Sequence, residues 1–150
     1  MRRESTRQEV VRSVPLIVIA AALAGCGPAG PPPGVTVTGK VVQAGQPLTA
    51  ERLPPGEFAA EVIFVPLGTA GGEREKLSAD GSFKEAGAGK GMPPGKYKVA
   101  VIHYVQGRGS DGLKGAFSEQ STPITVDIPA SQSGGTHDLG TLELNDYSKK

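Results

Sequence analysis

Three side chains in this 150-residue sequence could serve as a thiol nucleophile or as a nitrogen or sulfur ligand to a metal: Cys26, His103 and His137. Nucleophilic catalysis needs a base within hydrogen-bond reach, and a zinc site needs three or four ligands. One thiol and two widely spaced imidazoles meet neither need without carboxylates from distant loops. Cys26 also has no second cysteine with which to form a disulfide. It does close the tetrad Leu23-Ala24-Gly25-Cys26. Small side chains at Ala24 and Gly25 let an extended backbone enter a peptidase site, and a thiol in the next position accepts a lipid.

The flanking residues support that chemistry. Across Met1–Ser13, Arg2, Arg3, Arg7 and Arg12 outweigh Glu4 and Glu9, which favours retention on the cytoplasmic side. The apolar run from Val14 to Ala24 is only about half the ~20 residues a spanning helix needs. The pattern reads as a bacterial lipoprotein signal. Residues 1–25 are the signal peptide, Leu23, Ala24, Gly25 and Cys26 are its lipobox, and Cys26 carries a palmitate-type lipid anchor. Gly27 follows with no acidic retention signal, so the expected location is the outer membrane or cell surface.

Cleavage would remove four of the 16 basic and two of the 15 acidic residues, leaving 12 against 13 and a net charge of −1. That chain has no basic surplus with which to neutralise phosphates, so no nucleic-acid partner is expected. The membrane, reached through the lipid on Cys26, is the one partner the residues name; any protein or glycan partner in the envelope is unspecified. Tryptophan is absent, and the core must rest on Val, Ile, Leu and a few Phe and Tyr. With 22 Gly and 13 Pro, the composition favours turns and short strands over helices.

Residues 26–34 form a Pro/Gly-rich tether. Proline fixes φ and lacks a donor, so Gly27-Pro28-Ala29-Gly30-Pro31-Pro32-Pro33-Gly34 favours extended polyproline II. Residues 35–145 then alternate in the manner of strands, with 146–150 as a tail. Val35, Val37 and Val41 share one face, opposite Thr36, Thr38 and Lys40. Further strands are expected near Ala60–Pro66, with Val62 and Phe64 inward, over Glu73–Ala79, and at Ser82–Lys84 after the Asp80-Gly81 turn. In Lys96–Val105, Tyr97, Val99, Val101, His103 and Val105 share one face, and Lys96, Lys98, Ala100, Ile102 and Tyr104 the other. Pro123–Ile128 and His137–Leu144 complete the set. Seven short strands between Gly/Pro turns, without a convincing helix, indicate an all-β fold, a single sandwich. Long loops are expected at 49–59, 68–72, 86–94 and 106–122.

The run Gly39-Lys40-Val41, Gly45-Gln46-Pro47-Leu48, Val62-Ile63-Phe64-Val65-Pro66, Ala79-Asp80-Gly81-Ser82-Phe83 and Pro94-Gly95-Lys96-Tyr97-Lys98-Val99 resembles the carboxypeptidase regulatory-like domain, in particular the small lipoproteins of planctomycete-type bacteria that carry it. The resemblance covers most of 35–144 and implies a transthyretin-like (prealbumin-like) Greek-key sandwich of about seven strands. It supplies structural punctuation and no reaction. The insertion at 49–59 departs from the family, which usually passes from this turn to the next strand within a few residues. Related transthyretin-like hydrolases of hydroxyisourate end in Tyr-Arg-Gly-Ser, whereas this chain ends Asn145-Asp146-Tyr147-Ser148-Lys149-Lys150.

Other constellations point away from catalysis. Gly87-Ala88-Gly89-Lys90-Gly91 lacks the Ser/Thr, the upstream glycine and the helix of a phosphate loop. Gly109-Ser110-Asp111-Gly112 offers calcium a single carboxylate in what reads as a mobile solvent loop. A Lys40–Asn145 crosslink beside Glu61 is opposed by strand parity, which turns Lys40 outward. His103 reads as an inner-face residue near a strand end, and His137 as solvent-side. The expectation is therefore no enzyme, no cofactor and no metal, but a non-catalytic, lipid-anchored module for adhesion, scaffolding or accessory roles. The long loops and an exposed Ile102–Tyr104 strip are its expected contact surfaces. A solute- or glycan-binding lipoprotein is the alternative, with scattered aromatics against it. An enzyme is the third reading and would need His103, His137 and carboxylates to converge.

Overall fold

A computed structural model describes residues 33–50, 57–106 and 109–148. Eight strands form two sheets: β1 (Thr36–Gln43), β2 (Gln46–Pro47), β3 (Ala60–Pro66), β4 (Glu73–Lys76), β5 (Ser82–Glu85), β6 (Gly95–His103), β7 (Thr125–Ile128) and β8 (Thr136–Glu143). A single helical turn, α1 (Leu144–Tyr147), ends the described chain. In the first sheet β8 runs parallel to β1 along one edge, while β5 and then β2 pair antiparallel with it. Because β8 occupies one edge of β1 from Thr36 to Val42, β5 and β2 share the other edge in succession. The second sheet has the antiparallel order β4-β3-β6-β7. The fold is thus the expected all-β sandwich, with eight strands in place of seven.

The alternation of the sequence becomes the core. Val35, Val37 and Val41 of the first sheet face Val62, Phe64, Tyr97, Val99 and Val101 of the second, all buried. Phe64 lies 5.7 Å from Phe83 of the opposite sheet and 6.5 Å from Tyr97 of its own, ring to ring, so an aromatic contact joins the two sheets. The additional strand β2 exists because Ala44 and Gly45, both at positive φ, turn the chain back on β1 within two residues.

Two segments depart from the sequence reading. The strand expected over Glu73–Ala79, β4, stops at Lys76; Leu77 is buried in the core, and Ser78 is taken up by the turn to β5. The region at 106–122 is no open loop where it is described. Leu113 and Phe117 are buried in the main core, and the Phe117 and Ile124 carbonyls accept from Val101 and Val99 on the β6 edge. Asp111 holds this segment in place by accepting from the backbone N–H of His103 (3.1 Å), Leu113 (3.0 Å) and Gly115 (2.8 Å).

The registers give the sandwich two poles. Gly34 donates to the Lys90 carbonyl and accepts from Gly134 at the pole where β1 begins. Gly34 and Gly91 meet backbone to backbone with no room for a Cβ on either, which is why both are glycine. The turns after β3 and β5 and the start of β6 lie at this pole. The β1–β2 hairpin, the start of β3, the end of β6 and α1 lie at the opposite pole. Tyr147 packs against the core, so the folded unit extends past residue 145.

Candidate functional site

Sheet pairing turns Glu61, Ile63 and Val65 of β3 to the outer face of the second sheet, beside Lys76 and Arg74 of β4 and Ile102, Ala100 and Lys98 of β6. Outer faces of antiparallel sheets are ordinarily wet. Here Ile63 and Ala100 are fully buried. The cover is ionic. Arg74 donates from Nη1 to Glu61 (2.7 Å) and from Nη2 to Glu119, which lies between the Phe117 and Ile124 carbonyls that pair with the β6 edge. Arg74 stands opposite Ile63, and Ile63 opposite Ala100, so the guanidinium and Glu119 span the apolar floor of the sheet.

Toward the pole opposite Gly34, this network opens into a shallow cleft lined by Phe58, Glu61, Arg74, Glu75, Lys76 and Tyr104. Tyr104 donates its hydroxyl to the same Glu61 Oε1 at 2.8 Å. Its ring meets Phe58 edge-on at 5.7 Å, and Lys76 Nζ sits 4.8 Å from the Phe58 centroid, a cation–π contact. Glu61 is only 7% exposed. A buried carboxylate must be paired, and Arg74 and Tyr104 supply that pairing through one oxygen. The other oxygen makes none of these bonds. No fully buried side-chain oxygen among the described residues lacks a partner, and the Glu61 side chain keeps 10% of its surface exposed.

The residues singled out from the sequence fall elsewhere or are tied down. Leu23, Ala24, Gly25 and Cys26 lie outside the described residues, as do 51–56 of the insertion. Among the described residues no helix is long and apolar enough to cross a membrane. His103 has the inward parity expected, and its Nε2 contacts the Thr49 carbonyl at 2.7 Å. His137 pairs with Val37 in the other sheet and is half-buried, sharing the inward side with Leu139, so it is less solvent-facing than its position at a strand start implied. The Ile102–Tyr104 strip is half-buried rather than exposed, because Ile102 packs on the Ile63 cluster and Tyr104 is bound to Glu61. Lys40 lies in the first sheet and Glu61 on the outer face of the second, so the crosslink geometry does not form. Gly87–Gly91 is the clasp against Gly34.

Several carboxylates are committed to the backbone. Glu143 accepts from Asn145, Gly45 and Ala44 N–H groups, which hold its carboxyl below the usual range and clamp the β1–β2 turn. Asp80 is lowered likewise by the Ser82 hydroxyl and N–H. Glu85 is the exception: burial pushes it up, Glu75 and Glu73 push it further, and only backbone N–H groups, chiefly that of Gly87, oppose them.

Sequence reasoning missed Phe58 as the partner of Tyr104, Arg74 as the partner of Glu61, and Glu119 as the second partner of Arg74. The usable signal was a glutamate in an apolar run, Ala60-Glu61-Val62-Ile63-Phe64, where burial demands a cation. No family model, curated protein or solved structure matches this chain.

Proposed function

We propose that this chain is a lipid-anchored, non-catalytic module of the bacterial cell envelope, held by Cys26 and displaying its sandwich on a short tether. The observation that carries the reading is the polarity of the fold. The chain from Cys26 enters at the pole clasped by Gly34 and Gly91, while the Phe58–Tyr104 cleft lies toward the other pole. In polyproline II at ~3.1 Å per residue, the tether would span on the order of 25 Å. The domain would then stand off the bilayer with its cleft outward. Kinship with the carboxypeptidase regulatory-like sandwiches belongs to the same proposal. It is supported by the two-sheet topology and by Gly45 and Asp80-Gly81 falling at turns.

Metabolic labelling with a radioactive fatty acid tests the anchor. The Cys26→Ser chain should lose the label and accumulate as an unprocessed precursor with residues 1–25 attached. Labelling and processing equal to wild type would overturn the reading.

A further inference from the structure

We infer that this sandwich is a force-bearing link, in which tension between the tethered pole and the opposite pole loads β1 and β8 in shear. The chain enters the fold at Gly34 and continues directly into β1. It leaves through α1, which follows β8 at the other pole. β1 and β8 are parallel neighbours, from Thr36 opposite Thr136 to Val42 opposite Glu143. Tension applied at the two ends therefore draws adjacent strands in opposite directions along their own axes. The hydrogen bonds of a ladder pulled this way share the load and must break together. Two strands pulled apart from the same end open one bond at a time. Forced unfolding is governed by the unfolding rate, so the direction of pulling matters beyond equilibrium stability.

Further features resist sliding. Between the Thr38–Asp138 and Lys40–Thr141 pairs, β8 carries Leu139 and Gly140 against the single Gly39 of β1. This bulge is a step that a slipping strand must climb. At the tethered pole, Val35 and Met92 exchange two backbone bonds of 2.8 Å each. Both residues are fully buried, so water does not replace those bonds as they stretch. Gly34 is held as well, donating to the Lys90 carbonyl and accepting from Gly134. At the other pole, Glu143 at the end of β8 accepts from the N–H groups of Ala44 (2.9 Å) and Gly45 (2.7 Å), in the turn that follows β1. That carboxylate ties the pulled end of β8 to the far end of β1. β5 pairs with the other edge of β1 from Val37 to Lys40, so β1 is gripped on both sides.

The inference rests on the anchored-module reading for the source of the tension, but the mechanics are measured without the lipid. The full chain carries Cys26→Ser, so that only engineered thiols react, and is stretched by single-molecule force spectroscopy at one pulling speed. Handles at Ala29→Cys and Ser148→Cys load β1 and β8 in shear. Handles at Ala29→Cys and Gln132→Cys, the latter just before β8 at the tethered pole, pull the same strands apart from one end. The shear geometry should rupture at about twice the force of the one-ended geometry or more. Glu143→Ala should lower the shear force and leave the one-ended force unchanged, because one-ended opening starts at Gly34 and reaches Glu143 last. Equal forces in the two geometries, or a weaker shear geometry, overturn the proposal. So does a loss of the same size in both geometries on Glu143→Ala. Thermal melts verify that each handled chain is folded, and if Glu143→Ala is not, the two geometries of the parent chain decide the matter alone. Failure of Cys26→Ser to alter fatty-acid labelling would remove the anchor and leave this mechanical result standing.

Discussion

Glu61 and Glu85 are the two buried glutamates among the described residues, at 7% and 4% exposure, and their surroundings are opposite. Glu61 lies on the outer face of β3, tied to a guanidinium and a phenol. Glu85 ends β5 with the backbone N–H of Gly87 at 2.6 Å as its partner, and it feels Glu75 and Glu73 from β4. Tyr97 is also raised, by burial and then by Glu73. Burial alone therefore says little about a carboxylate. What matters is whether the neighbouring element brings a cation or another anion. The first arrangement builds a fixed acceptor in a cleft, and the second leaves a charge that the fold tolerates at a cost.

Removing the cation should break this contrast most sharply. Arg74→Ala strands Glu61 and uncovers Ile63 and Ala100, and it should cost about 2 kcal/mol in chemical denaturation. That is below the 3–5 typical of a fully buried pair, because the guanidinium is half exposed. Tyr104→Phe removes only the hydroxyl donated to Glu61 and should cost about 1 kcal/mol by the same measurement.

Changes at the other glutamate should have the opposite sign. Glu85→Gln should raise the melting temperature slightly at neutral pH, because the ionised form is the one the site disfavours. The folded-state pKa lies above the ordinary value of 4.5, so the native state takes up a proton first as pH falls. Wild type should therefore gain stability as pH drops from neutral through that raised pKa, and the variant should lack this gain. At lower pH the sign reverses. Glu143 and Asp80 are held below their ordinary values of 4.5 and 3.8, so their stabilisation is present above those values and is lost as pH falls through the depressed ones. The smallest effect belongs to Glu73→Gln. It should lower the Glu85 pKa without touching its hydrogen bond, narrowing the acid-side gain in a melting-temperature profile against pH.

The sandwich was largely legible because strand parity is local. Val35, Val37 and Val41, and Tyr97, Val99 and Val101, alternate at the period a half-buried strand requires, and each run lies in the core. The segment 109–122 was not legible, because Leu113 and Phe117 recur without that period and are held by Asp111 and by the free edge of β6. The cleft was less legible still. Phe58 and Tyr104 are 46 positions apart, and Glu119 reaches Arg74 only after an irregular segment has packed beside β6. Glu61 and Tyr104 carried hints, one as a charge within an apolar run and the other as part of an outward strip, but neither named its partner.

By itself the sequence determined the sites of most strands and turns, and which faces turn inward. Each of these depends on residues adjacent in the chain, through side-chain periodicity, φ limits at Gly and Pro, and short linear patterns. Only the tertiary structure decided that an arginine from β4 would reach a glutamate on β3 and another beyond β6, and that Phe58 would meet Tyr104. Those contacts depend on strand register and sheet order, which bring together residues whose separation along the chain carries no signal.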